Sequence, residues 1–221
     1  MKPVMVGIAG GSGSGKTTLA RGLAVLTERH GSRIISQDHY YLGVPEGTHA
    51  DLYNFDDPAA LDLDLLAQHL QMLKRGRGIH MPQYNFSSHR RQVQAEWVVP
   101  APLIIAEGLF LYTSAPLRES FDLRFFVDVP AEERLRRRIA RDVAERGRAE
   151  EDVVRQFEGQ VEPMYQRCIL PTKHYADHVL SLPHPDESLY CKKIVAMWGV
   201  IERSLRQRSE LEQSGGNDKA V

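Results

Sequence analysis

The residues of this chain with the clearest chemistry stand together near its start. Gly10–Thr18 reads GGSGSGKTT, and Gly10-x4-Gly15-Lys16-Thr17 fits the G-x4-G-K-[ST] pattern of a phosphate cradle. Gly10, Gly11, Gly13 and Gly15 allow positive φ and close backbone approach, so successive N–H groups, those of Ser12 and Ser14 included, can point at phosphate oxygens. Lys16 offers a mobile cation to the β- and γ-phosphates, and the Thr17 hydroxyl can enter the shell of Mg²⁺. Thr18 closes the run. The segment predicts a site for a nucleoside triphosphate.

What is done to that triphosphate depends on the acids around it. Asp38, in SQDHYY, follows a strand-like run, at the end of an open sheet where ligands bind. Phosphoryl transfer leaves a protein mainly positioning and charge neutralisation, with one carboxylate to accept the attacking hydroxyl's proton, and Asp38 is placed for that. Two acids compete for the metal side of the cleft. Glu107 follows LIIA and precedes Gly108, which lets the chain turn sharply beside a nucleotide. Asp128 follows LRFFV, where a helix start near Pro130–Ala131 points to a structural or capping role instead. Spacing favours Glu107 but leaves both open.

Seven arginines lie between Arg134 and Arg148. Arg136 and Arg137 fit a solvated helix face, with Glu132–Arg136 and Glu133–Arg137 as i,i+4 pairs. Arg134, Arg138 and Arg141 share a face with no carboxylates to match. Such a face suits phosphoryl oxygens, and Gly147 offers a hinge, so the segment about 134–150 predicts a closing lid. A solvated helix is the plainer alternative. Nucleic-acid binding is disfavoured, because the formal net charge is -1 and no aromatics interleave the arginines.

The elements that must position these residues alternate along the chain. Val4–Ala9, Arg33–Ser36, Leu103–Ala106, Leu123–Val129 and His178–Leu182 read as buried strands. Thr17–Arg29, Asp62–Lys74, Ala131–Glu145, Glu150–Arg167 and Glu187–Leu205 carry helical periodicity. The fold class expected is α/β: a P-loop NTPase-type open parallel sheet of about five strands flanked by helices. Ile79–Val99 breaks the rhythm and predicts a small β-excursion, a candidate wall of the binding cleft. A single domain over 1–208 and a frayed tail over 209–221 complete the organisation. No apolar run reaches membrane-span length and Met1 leads straight into a strand, so a cytoplasmic protein is expected. Cys168 and Cys191 lack metal-ligand spacing and read as reduced thiols.

Taken in order, the motifs resemble the uridine kinase (uridine–cytidine kinase) family over roughly four-fifths of the chain, Val4 to Asp177. They are GGSGSGKTT, SQDHYY, NFDDPAALD at Asn54–Asp62, MPQYNFSSHRR at Met81–Arg91, IIAEG at Ile104–Gly108, RRIARDVAERGR at Arg137–Arg148, QF at Gln156–Phe157 and PTKHYAD at Pro171–Asp177. The resemblance implies that Asp38 is the base for a nucleoside 5′-hydroxyl and that Asp56 holds the ribose hydroxyls. It implies pyrimidine recognition by Tyr84 and His89, with Phe86 and Phe55 as aromatic surface. Arg138, Arg148 and Gln156 match substrate-side contacts, and Arg141 and Arg146 match the lid around the triphosphate. ATP or GTP with Mg²⁺, a nucleoside acceptor and a homo-oligomer, a tetramer, are implied with them.

The chain departs from the family pattern at Asp57, where histidine is usual, at Phe157, where tyrosine is usual, and over Gly43–Leu52. LPHPDE supplies no clear partner for the nucleotide base. The expected function is phosphorylation of uridine or cytidine to UMP or CMP. The alternatives are a related kinase of phosphoribulose, pantothenate or nicotinamide riboside, and a nucleotide-binding regulator without turnover.

Overall fold

The structure is a computed structural model that describes residues 2–48, 53–182 and 187–215. Two of the expectations above, those on LPHPDE and on the later part of Gly43–Leu52, fall wholly or mainly outside them. Strand β1 (Val4–Gly10) is buried at every position and lies at the centre of a five-stranded sheet. The other four strands are β2 (Ser32–Ser36), β7 (Leu103–Gly108), β8 (Leu123–Asp128) and β9 (His178–Ser181). The order is β2-β7-β1-β8-β9, every pairing parallel.

A buried parallel strand must be apolar on both faces, and β1 shows the consequence. Met5 and Ala9 enter one core cluster, whereas Val4, Val6 and Ile8 enter the other. Helices α1 (Lys16–Leu26) and α7 (Glu187–Gly215) cover the second face through Leu19, Leu23, Met197 and Ile201. The first face is covered by α2 (Leu63–Lys74), with Leu66, Leu70 and Leu73, and by the short α3 (Ala115–Arg118), with Leu117. Each such leucine taken wholly out of water contributes about 1.5–3 kcal/mol. Helix α2 starts where the sequence places it, Asp62 capping it by accepting from the Leu65 N–H at 3.2 Å.

The excursion is two ribbons, and neither joins the main sheet. Strand β3 (Ile79–Met81) pairs antiparallel with β6 (Glu96–Val98), and β4 (Tyr84–Asn85) with β5 (Arg90–Arg91). Helix α4 (Ala131–Arg146) ends at Gly147, whose φ of 61° makes it a left-handed helix cap.

The helix expected over Glu150–Arg167 is interrupted. It runs as α5 (Glu150–Gln156), a widened π turn Phe157–Val161, α6 (Glu162–Met164) and a second π turn Tyr165–Ile169. Pro163 has no N–H to continue an α ladder, and widened turns on both sides absorb the break. Helix α7 continues through 209–215, because Glu210–Gln213 are good helix formers and an existing helix extends without a new nucleus. Among the described residues no helix is long and apolar enough to cross a membrane.

Candidate active site

The cradle forms the connection from β1 to α1, and its glycines are required by what lies behind them. Gly13 has φ 76°, and a Cβ there would collide with the Arg134 carbonyl oxygen; Gly15 has φ 91° and caps α1 in the left-handed region. Side chains would block this packing as well as strain the backbone. Gly11 has Tyr165 and Arg134 against it in the same way. Lys16 is buried and donates from Nζ to the Gly11 carbonyl at 3.0 Å. Burial pulls its pKa down, against the upward pull of Glu107 and Asp38. The buried Ser14 Oγ has no protein partner, and Ser12 Oγ accepts from Arg138 Nη1 at 2.8 Å. Gly10 ends β1, and Thr17 and Thr18 are exposed on the first turn of α1.

The strand register sets the two acids in different surroundings. Glu107 sits opposite Ile8 of β1 and Ser36 of β2, next to the cradle. It is buried, and accepts from Thr17 Oγ1 at 3.1 Å and from Ser36 Oγ at 2.5 Å. Asp128 instead accepts from Lys173 Nζ at 2.7 Å, at the sheet's other flank. Hydroxyl and carboxylate oxygens beside a phosphate cradle are hard donors of the kind Mg²⁺ takes, usually with water and phosphate completing the shell. Among the described residues no three acidic, histidine or cysteine side chains make a closed metal cage. Thr17 and Glu107 thus fit a shared ion.

Asp38 lies in the 3₁₀ turn Gln37–Tyr40 that follows β2 directly. Loss of hydration and the neighbouring Glu107 push its pKa up to about 6, against Lys16, Arg141 and Arg146 pulling it down. A carboxylate in that range is ionised at neutral pH yet basic enough to accept a proton.

A second group lies across from the cradle. Asp56 is buried, with Arg138 Nη1 at 3.9 Å from its Oδ2. Arg138 also donates from Nη2 to Gln156 Oε1 at 2.9 Å, and Arg148 Nη1 donates to the same oxygen at 2.7 Å. Beside them is an aromatic patch. Phe55 meets the His89 ring at 5.0 Å, Tyr41 meets Tyr84 at 5.2 Å, and Tyr84 meets Phe86 at 5.1 Å. The Tyr84 hydroxyl is buried without a protein partner, and His89 takes φ 52° at the turn between β4 and β5. Asp57 caps the turn Pro58–Ala60 by accepting from the Ala59 N–H at 2.9 Å, and Phe157 is buried near the Arg134 guanidinium. Both departures from the family pattern therefore have local structural work.

The arginine helix differs most from expectation. Arg134 is almost wholly buried, donating to the Val129 carbonyl at 3.1 Å and to Glu162 at 2.5 Å, with Tyr165 stacked 3.9 Å from its guanidinium. It is a brace under the cradle, and its carboxylate comes from another helix. Arg137 makes the expected i,i+4 pair with Glu133 at 2.6 Å, but it is no solvated residue, since it also donates to the Ser14 carbonyl at 3.3 Å, the Tyr190 hydroxyl at 2.6 Å and the Leu182 carbonyl at 3.2 Å. Arg136 pairs with Glu133, one turn earlier, in place of Glu132.

The acid missed from sequence is Asp142, fully buried, with Arg138, Arg141, Arg146 and Arg148 within 3.5 Å. Its i,i+4 spacing from Arg138 and to Arg146 was a usable signal. Ser36, Tyr190 and Glu162 join the site by tertiary contact and carried no comparable signal.

The sheet order, the cradle at the end of the central strand and the acids on flanking strands define a P-loop kinase class of fold and site. Its residues 5–186 match the phosphoribulokinase/uridine kinase family, and the chain belongs to that family. Similar relatives include a uridine kinase of Deinococcus deserti, 41% identical over 83% of this chain and 89% of the relative. A uridine kinase of Lactobacillus helveticus is 42% identical over 81% of this chain and 86% of the relative. Among solved structures, a phosphoribulokinase from Rhodobacter spheroides superposes with TM-score 0.60 at 16% identity, covering 81% of this chain and 70% of that one. A D-glycerate 3-kinase from Cryptococcus neoformans gives 0.57 at 18%, covering 78% and 80%. These two support the fold alone.

Proposed function

We propose that this chain is a uridine kinase, transferring the γ-phosphate of ATP or GTP to the 5′-hydroxyl of uridine or cytidine to give UMP or CMP. One observation carries the reading. The buried Asp56–Arg138 pair, 3.9 Å apart, is tied to Ser12 of the cradle at 2.8 Å and adjoins the aromatic patch of Phe55, Tyr84 and His89. A polyol held by a carboxylate, with a flat base beside it, describes a ribonucleoside placed against a triphosphate.

In this reading the Gly10–Thr18 amides and Lys16 hold the triphosphate, and Thr17 and Glu107 would hold Mg²⁺. When bound there, the ion would supply positive charge against the phosphate oxygens. Asp38 orients the 5′-hydroxyl and takes its proton as the oxygen attacks in line. Arg141 and Arg146 balance the charge spread over the transferring group. Asp56 accepts from the ribose hydroxyls, Tyr84 and His89 recognise the pyrimidine, and Phe86 adds aromatic surface. Arg138, Arg148 and Gln156 fix the nucleoside. A cytoplasmic homotetramer belongs to the same proposal, checked by light scattering.

The test is coupled ADP release with ATP–Mg²⁺ across a panel of nucleosides, phosphoribulose, pantothenate and nicotinamide riboside. Uridine or cytidine should give the highest turnover, with 2′-deoxy analogues poorer. Release stimulated only by another acceptor, or by none, overturns the assignment.

A further inference from the structure

Asp142 divides its two oxygens between two pairs of arginines. Oδ1 accepts from Arg141 Nε at 2.8 Å and lies 3.2 Å from Arg146 Nη1. Oδ2 lies 3.5 Å from Arg138 Nε and 3.5 Å from Arg148 Nη1. The two pairs lean toward different halves of the site and overlap, since Arg138 also donates to Ser12 of the cradle and Arg141 also acts on Asp56. Arg141 and Arg146 act on Asp38 at the phosphate side, whereas Arg138 and Arg148 share Gln156 and Arg138 faces Asp56.

Local structure makes this arrangement. Residues 138, 142 and 146 recur every four positions along α4, and the left-handed Gly147 folds the chain back. The N–H groups of Gly147 and Arg148 then close on the Asp142 carbonyl, which brings the Arg148 side chain round to the same carboxylate. The two sides are not equally tight. Oδ1 is hydrogen-bonded, but Oδ2 and Arg138 Nε are buried without a hydrogen bond. One carboxylate also faces four guanidiniums, which leaves cationic charge for phosphate to meet.

We propose that Asp142 is a positioning residue that couples the two substrate sites. A triphosphate that fixes Arg141 and Arg146 fixes the carboxylate, and the carboxylate then holds Arg138 and Arg148 in place for the nucleoside. The coupling is reciprocal, as linkage requires. It rests on the nucleoside kinase reading above. A purely structural Asp142, there only to make the buried arginines tolerable, would carry none of the coupling, and its replacement would leave the coupling factor as it was.

The experiment is titration calorimetry of uridine, with and without a non-hydrolysable ATP analogue and Mg²⁺, on the full chain. The wild type should bind uridine about tenfold more tightly with the analogue present, and the analogue about tenfold more tightly with uridine. Asp142→Asn keeps the shape and loses the charge. Its coupling factor should fall to about one, and its kcat by about 10–100-fold, from misplaced arginines.

If Asp142→Asn does not fold, Arg148→Gln serves. It should lower the coupling factor, read as the ratio of uridine affinities with and without the analogue. A wild type that binds uridine equally with and without the analogue overturns the coupling, as does a folded Asp142→Asn, or Arg148→Gln, with full coupling. A wild type that binds neither uridine nor cytidine under any condition overturns the kinase reading and this proposal with it.

Discussion

Replacing Asp38 by Asn should make the protein more stable and less active at once, and the size of the gain follows from the site. An aspartate ordinarily titrates near 3.8, whereas Asp38 is pushed up to about 6 by lost hydration and by Glu107. The folded state therefore holds this proton more tightly than the unfolded chain does. The ionised carboxylate costs the fold stability, fully above pH 6 and progressively less as pH falls toward 3.8. The full cost is about 3 kcal/mol, less whatever solvent at the cleft mouth screens. Linkage leaves roughly half of it at pH 5.

A neutral amide removes the cost, so Asp38→Asn should melt about 2–10 °C higher than wild type at pH 8, with a clearly smaller gain at pH 5. Turnover should meanwhile fall by about 10² or more, with triphosphate affinity largely kept. Differential scanning calorimetry at both pH values, beside a coupled kinase assay, measures all three. A variant that melts at or below wild type at pH 8, or one with a normal rate, refutes the reasoning. The wild-type kcat/KM should also lose activity with unit slope below about pH 6, as Asp38 takes up its proton.

Three further variants test neighbouring parts. Glu107→Gln removes the carboxylate bonded to Thr17 and Ser36, so the Mg²⁺ needed for half-maximal activity should rise about 10–100-fold. It should also move the acid limb of the pH profile to lower pH, because Glu107 is one cause of the high Asp38 value. Asp56→Asn should cut kcat/KM for uridine about 10–100-fold and narrow the gap to 2′-deoxyuridine, read from paired kinetics. Gly13→Ala puts a Cβ against the Arg134 carbonyl at φ 76°, and should lower stability by about 1–3 kcal/mol and abolish binding of a fluorescent ATP analogue.

Much of the fold was legible because its strands are apolar on both faces and lie between helical repeats. Val4–Ala9, Leu103–Ala106 and the leucines of α2 announce themselves without tertiary knowledge, and each strand runs one or two residues further in the fold. The excursion was visible as a break in pattern, but its pairing was not. Strands of two or three residues carry too little periodicity to say that β3 meets β6 and β4 meets β5. The widened turns around Pro163 and the extension of α7 past 208 were also beyond local pattern. A proline is a signal of disruption without saying how the chain absorbs it, and a helix end without a strong stop has no fixed place.

The arginine helix shows where reading a sequence by face stops working. Arg134, Arg137 and Arg138 look alike in the string, and a helical wheel treats them as neighbours on one cylinder. The fold gives them three tasks. Arg134 supports the cradle from beneath, through Glu162 and Tyr165. Arg137 ties the Ser14 carbonyl to Tyr190 of α7. Arg138 reaches between Ser12 and Gln156, where the two halves of the site meet. What separates them is the partner each finds on another element, and those partners lie 28, 53 and 126 residues away in the chain. The cradle is legible because its glycines, lysine and threonine recur at a fixed local spacing. The charge around it is set by long-range packing, so a motif can say that phosphate is held while only the assembled helix says which arginines are free to hold it.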